Sequence, residues 1–440
     1  MTDASRGEKA GPARVTRRRA VGLALGAAVA TAAGIVLYLN LKPSDQRIEH
    51  RIERLYDLDS PQMRRVMGAL LGPPIVGDNR VEVLLNGEQI FPAMLDAIRQ
   101  ARHTITFETY IYWSGDIGRA FADTLSERAR AGVKVHVLLD WVGSQKMDEV
   151  LLDTMRDAGV EIRYYRPLSW YHIDKMNNRT HRKLLVVDGR VGFTGGVGVG
   201  DNWQGHAQDP DHWRDTHFRA EGPVVAQIQA TFNDNWNKVT GRVLHGEAYF
   251  PALEPAGGSA AQMFQSSPEG GAESMQLMYL LAITAAAHTI DLSSAYFVPD
   301  ALTTRTIVDA LKRGVRVRII VPGPYIDTDL VRRASRANWG PLLAAGAQIF
   351  EYQPTMFHCK VLVVDGLLVS VGSTNFDTRS FRLNDEANLN VFDAAFARRQ
   401  IEVFEDDLRH SRRITHEAWL ARPWHEKVME KAAELLEVQL

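Results

Sequence analysis

The chain twice carries a His-x-Lys-x-x-x-x-Asp spacing whose side chains suit work on a phosphate ester. The two copies are His181, Lys183 and Asp188, followed later by His358, Lys360 and Asp365. A histidine can attack phosphorus or move a proton near neutral pH, because its unperturbed pKa is about 6.5. A lysine ammonium can hold the phosphoryl oxygens, on which charge develops during displacement. The doubled spacing therefore predicts two halves of a single site for phosphoryl chemistry.

Each copy is predicted to form a β-hairpin that presents its histidine and lysine at one end. Side chains alternate faces along a strand, so His181 and Lys183, two residues apart, point the same way. The aliphatic run after each lysine is typical of a buried strand, and the Asp-Gly that follows is a strong hairpin signal. We assign both aspartates to the catalytic group, with turn formation as their alternative role.

The composition is that of an ordinary globular chain, and its 440 residues suggest more than one domain. The formal net charge of -2 provides no overall attraction to nucleic acid, so no nucleic-acid partner is expected. The single cysteine, Cys359, excludes an intrachain disulfide and a cysteine zinc cluster. No dense carboxylate cluster accompanies the motifs, so a two-metal mechanism is not required, and neither a metal nor a cofactor is predicted.

The N-terminal region predicts a membrane anchor. Residues 1–19 form a basic tail, and residues 20–39 carry no charge over a length that would cross a bilayer core as a helix. An uncleaved anchor is favoured over a cleaved signal peptide, because apolar residues continue past the small-residue stretch. The arginines at 17–19 predict a cytoplasmic N-terminus, and thus a single-pass membrane protein. Residues 40–75 are interpreted as a juxtamembrane linker with a short helix around residues 45–58.

An internal repeat begins near the end of this linker and predicts two similar α/β domains. Strands and helices alternate in each unit, which predicts mixed, mostly parallel sheets flanked by helices. Two such halves are expected to pack about a pseudo-two-fold axis that brings the two motifs together. The first domain is predicted over residues 76–250 and the second, with C-terminal helices, over residues 269–440. A linker rich in glycine and proline is predicted between them at residues 251–268.

The doubled motif resembles that of the phospholipase D superfamily, and most closely that of its bacterial cardiolipin synthases. The stretch Gly372–Glu386 is similar to the continuation of their second motif, and Tyr296–Asp300 is similar to another of their signatures. This resemblance extends over residues 76–430. It implies a membrane-anchored phosphatidyltransferase that condenses two phosphatidylglycerol molecules to cardiolipin and glycerol through a phosphohistidine. The implied partners are this anionic phospholipid and the membrane.

The resemblance also implies roles for individual residues. His181 would be the nucleophile and His358 the acid and base, in a transfer that uses no metal. An acid downstream of each motif would orient the histidine of the other half, so that Glu386 supports His181 and Asp215 supports His358. Such a carboxylate fixes the tautomer of the ring and stabilises its cation.

Two polar residues that follow the second motif complete the predicted site. Ser373 and Asn375 would either hydrogen-bond the phosphate oxygens or brace the loop, as the resemblance implies. The first copy has Gly196 and Gly198 at the matching positions, which predicts an asymmetric site that is more open on that side. Glu108 lies in an apolar strand and is interpreted either as a cavity-lining acid or as a salt-bridged core residue.

Other functions remain open from the sequence alone. Water as the acceptor would make the protein a phospholipase D that hydrolyses phospholipids, and another alcohol such as ethanolamine or serine would give a different transphosphatidylation. A nuclease or other phosphodiesterase would require a basic, aromatic-lined groove. A catalytically inactive scaffold is disfavoured by the two intact His-x-Lys pairs. The acceptor, the side of the membrane and the oligomeric state are not determined by the sequence.

Overall fold

The computed structural model describes residues 17–41, 48, 50–167, 177–268 and 275–434. The helices of this part of the chain are α1 (Arg17–Leu41), α2 (Pro61–Leu70), α3 (Asn86–Gln100), α4 (Asp116–Arg130), α5 (Glu149–Asp157), α6 (Val224–Thr240), α7 (Met275–Ala285), α8 (Ala301–Lys312), α9 (Asp329–Ala337), α10 (Trp339–Ala344), α11 (Thr378–Arg382), α12 (Ala394–Arg409), α13 (His416–Leu420) and α14 (Trp424–Glu434). Its strands are β1 (Val76–Leu85), β2 (Thr104–Thr109), β3 (Lys134–Asp140), β4 (Glu161–Tyr165), β5 (Leu184–Val187), β6 (Val191–Gly195), β7 (Thr216–Glu221), β8 (Ser259–Ser266), β9 (Thr289–Ser294), β10 (Phe297–Val298), β11 (Arg316–Pro322), β12 (Gln348–Tyr352), β13 (Lys360–Val364), β14 (Leu368–Gly372), β15 (Phe376–Asp377), β16 (Glu386–Phe392) and β17 (Ser411–Ile414).

The strand order has a two-fold pattern. Within the described residues, fifteen strands form one sheet in the order β17-β12-β11-β9-β13-β14-β16-β8-β1-β7-β6-β5-β2-β3-β4. Read outward from the centre, β1-β7-β6-β5-β2-β3-β4 repeats β8-β16-β14-β13-β9-β11-β12, and β17 extends one edge. The two central strands, β1 and β8, pair antiparallel. The predicted pseudo-two-fold axis therefore passes between β1 and β8.

The structure corrects two details of the predicted architecture. The mixed sheet flanked by helices is confirmed, but it is not mostly parallel. Within this sheet, the described strands pair in parallel only among β2, β3 and β4 in the first half and among β9, β11 and β12 in the second, because the motif hairpins and the central strands pair antiparallel. Outside this sheet, the short strands β10 and β15 also pair in parallel. The predicted linker is wrong for Ser259–Ser266, which form the central strand β8. The glycines and prolines that suggested a linker flank this strand: those at 251–258 precede it, and Pro268 follows it.

One buried hydrophobic cluster is shared by the two halves of the sheet, beside a separate cluster in each half. The pairing of β1 with β8 shifts register between Val76 and Asn79, where the ladder is irregular. Val186 of β5 and Val363 of β13 then belong to a single buried cluster, together with side chains of α6 and α12. Both motif strands therefore border this shared cluster, which brings their N-terminal ends into a common region.

The N-terminal region only partly follows its prediction. Helix α1 covers the predicted anchor at residues 20–39, but several side chains of this stretch, and residues 1–16 of the basic tail, lie outside the described residues. Among the helices that are described, none is long and apolar enough to cross a membrane, so the anchor stays a prediction. The predicted linker contains α2, whose Met63 and Met67 are buried in the core of the second half. The short helix predicted around residues 45–58 is absent from residues 50–58, and residues 42–47 and 49 are not described.

The two motif hairpins turn on Asp-Gly, as predicted. Asp188 and Asp365 both have positive φ angles, 53° and 52°, as do the glycines that follow them, which is the geometry of a tight hairpin turn. The Asp188 carboxylate accepts hydrogen bonds of 2.7–2.9 Å from the backbone N–H groups of residues 102–104. The Asp365 carboxylate does the same for residues 287–289, at 2.7–2.8 Å. Each aspartate thus ties its hairpin turn to the start of the neighbouring strand.

This position corrects the assignment of Asp188 and Asp365 to the catalytic group. Each aspartate lies at the turn, whereas the histidine and lysine of its motif lie at the opposite end of the strand. A strand advances by about 3.3 Å per residue, so the carboxylates are well beyond contact with those rings. The alternative role, turn formation, fits the observed hydrogen bonds.

Asp188→Asn is expected to lower the free energy of unfolding by about 1–3 kcal/mol, because three backbone N–H groups lose their charged acceptor. Asparagine tolerates the positive φ, so the substitution isolates the hydrogen bonds. Urea denaturation of both proteins measures the difference. Asp123→Asn, at an exposed position on α4, is the control and should change stability by less than about 0.5 kcal/mol. Equal stability of Asp188→Asn and the unmodified chain would contradict the anchoring role.

Candidate active site

Each motif histidine is held by an acid from the other half of the chain. Nδ1 of His181 lies 3.0 Å from Oε1 and 3.1 Å from Oε2 of Glu386. Nδ1 of His358 lies 2.7 Å from Oδ2 of Asp215. A carboxylate on Nδ1 holds the ring proton there and leaves the Nε2 lone pair for chemistry. The sequence-predicted pairs Glu386–His181 and Asp215–His358 are thus both in contact.

Backbone hydrogen bonds lock these crossed pairs together. The N–H of His181 donates to the carbonyl oxygen of Asp385 at 2.9 Å, and the N–H of His358 donates to that of Arg214 at 2.8 Å. Both carbonyls belong to the residue directly before the orienting acid. Short parallel bridges form at the same two places. Each histidine and its acid are therefore fixed by main chain as well as by side chain, and the two halves meet at this seam.

The Glu386 carboxylate is fully buried and braced by its own half. Ser373 Oγ donates to Oε2 of Glu386, and it accepts from the N–H of Ala387 at 3.0 Å. Burial opposes ionisation of Glu386, but its contacts with His181, Lys183 and Ser373 hold its pKa below the ordinary value. Of the two predicted roles for Ser373, the observed contacts match the bracing of the loop.

The Asp215 carboxylate is braced by a different residue, one that the sequence did not suggest. Trp203 Nε1 donates to Oδ2 of Asp215 at 3.0 Å. Gly196 occupies the position that matches Ser373, and a Cβ there would lie 2.2 Å from Oδ1 of Asp215. The shorter acid therefore fills the space of the missing serine side chain. A glycine matched to a serine was the available signal that this half uses another donor.

The two motif lysines lie beside the histidine rings or backbone. Lys183 Nζ donates to the carbonyl oxygen of His181 at 2.7 Å. Lys360 Nζ lies 3.1 Å from Nδ1 and 3.2 Å from Nε2 of His358. Burial lowers the pKa of Lys183 to about 7, and the neighbouring Lys360 charge acts in the same direction. Because each lysine charge reaches the other half, the four motif side chains share one electrostatic environment.

The pKa of each motif histidine is lowered from its ordinary value. Burial lowers the pKa of His181 to about 4, although Glu386 opposes the shift. Burial, followed by the Lys360 charge, also lowers the pKa of His358. The Asp215 carboxylate in turn has its pKa held below the ordinary value by its contacts with His358 and Lys360, against the effect of burial. A neutral imidazole with a free Nε2 is the form that can attack an electrophile.

The other residues considered from the sequence, Asn375, Gly198 and Glu108, are all buried. Asn375 is buried after the second motif, and its Oδ1 has no hydrogen-bond partner among the described residues. The matching Gly198 packs against Ile111, 2.9 Å from where its Cβ would be. Glu108 is a core residue that accepts hydrogen bonds from Thr180 and Asn235 at 2.6 and 2.8 Å. Among the described residues, no cluster of three or more histidine, cysteine, aspartate or glutamate side chains could hold a metal ion.

The sequence analysis did not identify one buried histidine, His217. His217 follows Asp215 on β7 and lines a small apolar cavity with Lys183 and Phe107. Neither of its ring nitrogens has a hydrogen-bond partner in the part of the chain that the structure describes. Burial lowers its pKa to about 3. The alternation of side chains along a strand, which places His217 on the same face as Asp215, was the only sequence signal.

Comparison with known proteins identifies the architecture. A family model described as "Cardiolipin synthase, PLD-like domain" matches residues 94–236 and 279–408. The chain belongs to this family. Each matched segment contains one of the two His-x-Lys motifs. The doubled motif and the two-fold strand order of this chain therefore both belong to the region that matches the family. The predicted membership in the phospholipase D superfamily is confirmed.

Relatives of the cardiolipin synthase family match most of the chain. The cardiolipin synthase of Geobacillus kaustophilus strain HTA426 is 35% identical over 366 residues, which cover 82% of this chain and 73% of that protein. Cardiolipin synthase A of Pseudomonas putida strain GB-1 is 36% identical over 354 residues, covering 80% and 73%. The crystal structure of phosphatidylserine synthase from Haemophilus influenzae Rd KW20 superposes with a TM-score of 0.66 at 14% identity. It covers 86% of this chain and all of that one, which shows a shared fold.

The buried His217 makes stability depend on pH. An unfolded chain takes up a proton on this ring below about pH 6.5, whereas the folded chain does so only near pH 3. The stability that neutral His217 contributes is therefore fully present above pH 6.5 and is lost as the pH falls through this window. When the pH falls from 7 to 5, the free energy of unfolding of the unmodified chain should decrease by about 2 kcal/mol more than that of His217→Asn.

Urea denaturation at the two pH values measures this difference. His103→Asn is the matched control, because it makes the same substitution at a histidine whose ring is exposed. The same pH dependence in His217→Asn and the unmodified chain would show that His217 is protonated alike in both states.

Proposed function

We propose that this protein is a membrane-associated phosphatidyltransferase of the cardiolipin synthase type, which condenses two phosphatidylglycerol molecules to cardiolipin and glycerol. The observation that carries the proposal is the pair of buried imidazoles, each held at Nδ1 by a carboxylate of the opposite half. Phosphodiester transfer needs one nitrogen nucleophile and one acid and base, and the two rings supply both. Family membership supplies the lipid substrate class.

In the first step, Nε2 of His181 attacks the phosphorus of one phosphatidylglycerol. The new P–N bond forms as the P–O bond to the glycerol head group breaks. The leaving glycerol oxygen takes a proton from the His358 ring, which Asp215 stabilises in its charged form. The low pKa of His181 keeps its Nε2 unprotonated for this attack, and Glu386 balances the positive charge that the ring acquires.

In the second step, a hydroxyl of another phosphatidylglycerol replaces the departed glycerol. The neutral His358 ring accepts the hydroxyl proton while the oxygen attacks phosphorus. The P–O bond of cardiolipin forms and the P–N bond to His181 breaks, which restores both rings. The same geometry accepts water, and this reaction would yield phosphatidic acid as a phospholipase D does.

Lys183 and Lys360 hold the non-bridging phosphate oxygens in both steps. Their charges are preorganised in a buried seam, where they stabilise developing charge better than in water. The substrate anion raises the lowered pKa of Lys183 and keeps the ammonium charged. Ser373 braces Glu386, and the buried Asn375 would hydrogen-bond a phosphate oxygen through its amide. The predicted helical anchor at residues 20–39 holds this site at the inner-membrane surface, where the lipid lies.

Purified protein in detergent with head-group-labelled and acyl-labelled phosphatidylglycerol tests the reaction. We expect cardiolipin and free glycerol in equal amounts. Phosphatidic acid as the sole lipid product would instead identify a phospholipase D. An inert lipid pool with a folded protein would contradict the proposal altogether.

The roles of the two histidines can be distinguished with a lipid donor whose leaving group needs no proton, such as phosphatidyl-p-nitrophenol. His181→Ala should give no covalent phosphatidyl-enzyme, because the nucleophile is missing. His358→Ala should still become labelled, but its transfer to phosphatidylglycerol should slow by about 100- to 10,000-fold through loss of the general base. Enzyme quenched with denaturant at neutral to mildly alkaline pH, where the P–N bond of a phosphohistidine survives, is analysed by mass spectrometry to measure the label. His103→Ala, at an exposed ring, is the control. Unchanged cardiolipin formation in His358→Ala would refute the two-histidine account.

Chelation tests whether the lysines supply the positive charge. Dialysis against a chelator such as EDTA should leave the rate of cardiolipin formation unchanged, because Lys183 and Lys360 take the place of a metal. Lys360→Met, tested in parallel, should lower the rate by at least about 100-fold. Loss of activity on chelation that is recovered with one divalent ion would contradict this role.

A further inference from the structure

The ring of Tyr110, which directly follows β2, contacts two side chains of the first motif. Its centroid lies 5.4 Å from that of the His181 ring, and the two planes meet at 69° in an edge-to-face contact. The ammonium nitrogen of Lys183 lies over the same ring, 5.7 Å from its centroid, within the range of cation–π attraction. One side chain outside the motif thus contacts both the proposed nucleophile and its lysine.

The turn that follows β3 fixes the position of this ring. A Cβ at Gly143 would lie 2.0 Å from the carbonyl oxygen of Tyr110 and 3.0 Å from Cδ2 of its ring, so the turn packs directly against the tyrosine. Asp140 accepts a hydrogen bond from the N–H of Gly143 at 3.1 Å, and another from the N–H of Thr180 at 3.1 Å. Since Thr180 directly precedes the motif histidine, one buried carboxylate ties the support of Tyr110 to the backbone that carries the nucleophile.

The second half has no aromatic ring at the matching position. Strands β2 and β9 pair with their motif strands in the same register, which places Ala295 where the first half has Tyr110. The two lysines differ accordingly. Lys360 Nζ lies 3.1 and 3.2 Å from the two ring nitrogens of His358. Lys183 Nζ instead donates to a backbone carbonyl oxygen, and within the described residues it has no hydrogen bond to the ring of its own motif histidine.

This difference matters for a histidine that attacks phosphorus. A nucleophilic imidazole needs the lone pair of Nε2 free. An ammonium against that nitrogen would occupy the lone pair with a hydrogen bond, because a lysine has three N–H donors and no acceptor. The π face of a tyrosine offers the ammonium another place to bind, close to the imidazole but off its nitrogen. Both groups can then act on one phosphate.

We propose that Tyr110 is a positioning residue for the first step: its ring holds the ammonium of Lys183 off the His181 ring and leaves Nε2 open to phosphorus. This inference rests on the proposed phosphatidyl transfer and deepens it, because a residue outside both motifs gives the two histidines unequal surroundings. The ring matters for the first step alone, since Nε2 is already bonded to phosphorus when the acceptor arrives.

Sequential mixing separates the two steps. Phosphatidyl-p-nitrophenol is mixed first, and the burst of p-nitrophenol reports attack by His181. Phosphatidylglycerol is added next, and the rate of cardiolipin formation from the intermediate reports the second step. Tyr110→Leu should slow the burst by about 10- to 100-fold, through loss of the attack geometry, and should leave the second step within about threefold. Tyr110→Phe keeps the ring and should restore the burst to within about threefold of the unmodified rate.

A double substitution tests whether the ring acts through the lysine. In a protein that carries Lys183→Met, adding Tyr110→Leu should slow the burst by less than about threefold further, because there is no ammonium left to position. Tyr164→Leu is the matched control. It makes the same substitution at another partly buried tyrosine, which lies on β4 and interacts with Arg156, and it should leave both steps unchanged.

Three results would overturn the role of Tyr110. The first is an unchanged burst in Tyr110→Leu, and the second is an equal slowing of both steps, which would indicate a general loss of structure. The third is a burst in Tyr110→Phe as slow as in Tyr110→Leu, which would assign the effect to the hydroxyl rather than to the ring. A lack of any p-nitrophenol burst from the unmodified protein would instead defeat the proposed function.

Discussion

The site depends on two hydrogen bonds that cross from one half of the chain to the other. Glu386 holds Nδ1 of His181, and Asp215 holds Nδ1 of His358. Neither half contains a complete histidine–carboxylate pair, so neither can orient its own ring. The hydrophobic cluster shared by the two halves, and the backbone hydrogen bonds to Asp385 and Arg214, hold the halves together where these two hydrogen bonds form. The two-fold strand order is thus the means by which one site is assembled.

The symmetry ends at the scale of single side chains. Ser373 braces the longer acid in one half, whereas Trp203 braces the shorter acid in the other and Gly196 makes room for it. A transfer reaction needs such asymmetry, because one ring must form a bond to phosphorus while the other moves protons. The fold supplies two equal positions, and local substitutions give each position its own task.

The sequence predicted the repeated units, the motif hairpins and both crossed acid–histidine pairs. These succeeded because the repeat, the Asp-Gly turns and the similarity to known motifs are local signals. It failed where long-range pairing decides the outcome. Ser259–Ser266 looked like a linker, yet this stretch pairs with β1 and β16 at the centre of the sheet. Asp188 was grouped with the catalytic residues because of its place in the motif, while its hydrogen-bond partners lie some 85 residues earlier. Trp203 gave no periodic signal, since it lies in a short 3-10 helix between two strands.

A crystal structure of the protein with orthovanadate, which mimics the five-coordinate phosphorus of a displacement, tests the central claim most directly. The account predicts one vanadate per chain, with Nε2 of His181 bonded to vanadium and Nε2 of His358 hydrogen-bonded to the opposite apical oxygen. Both lysine ammonium groups should contact its equatorial oxygens. Two separate vanadates, each bound by one half alone, would contradict the claim that the two halves form a single site.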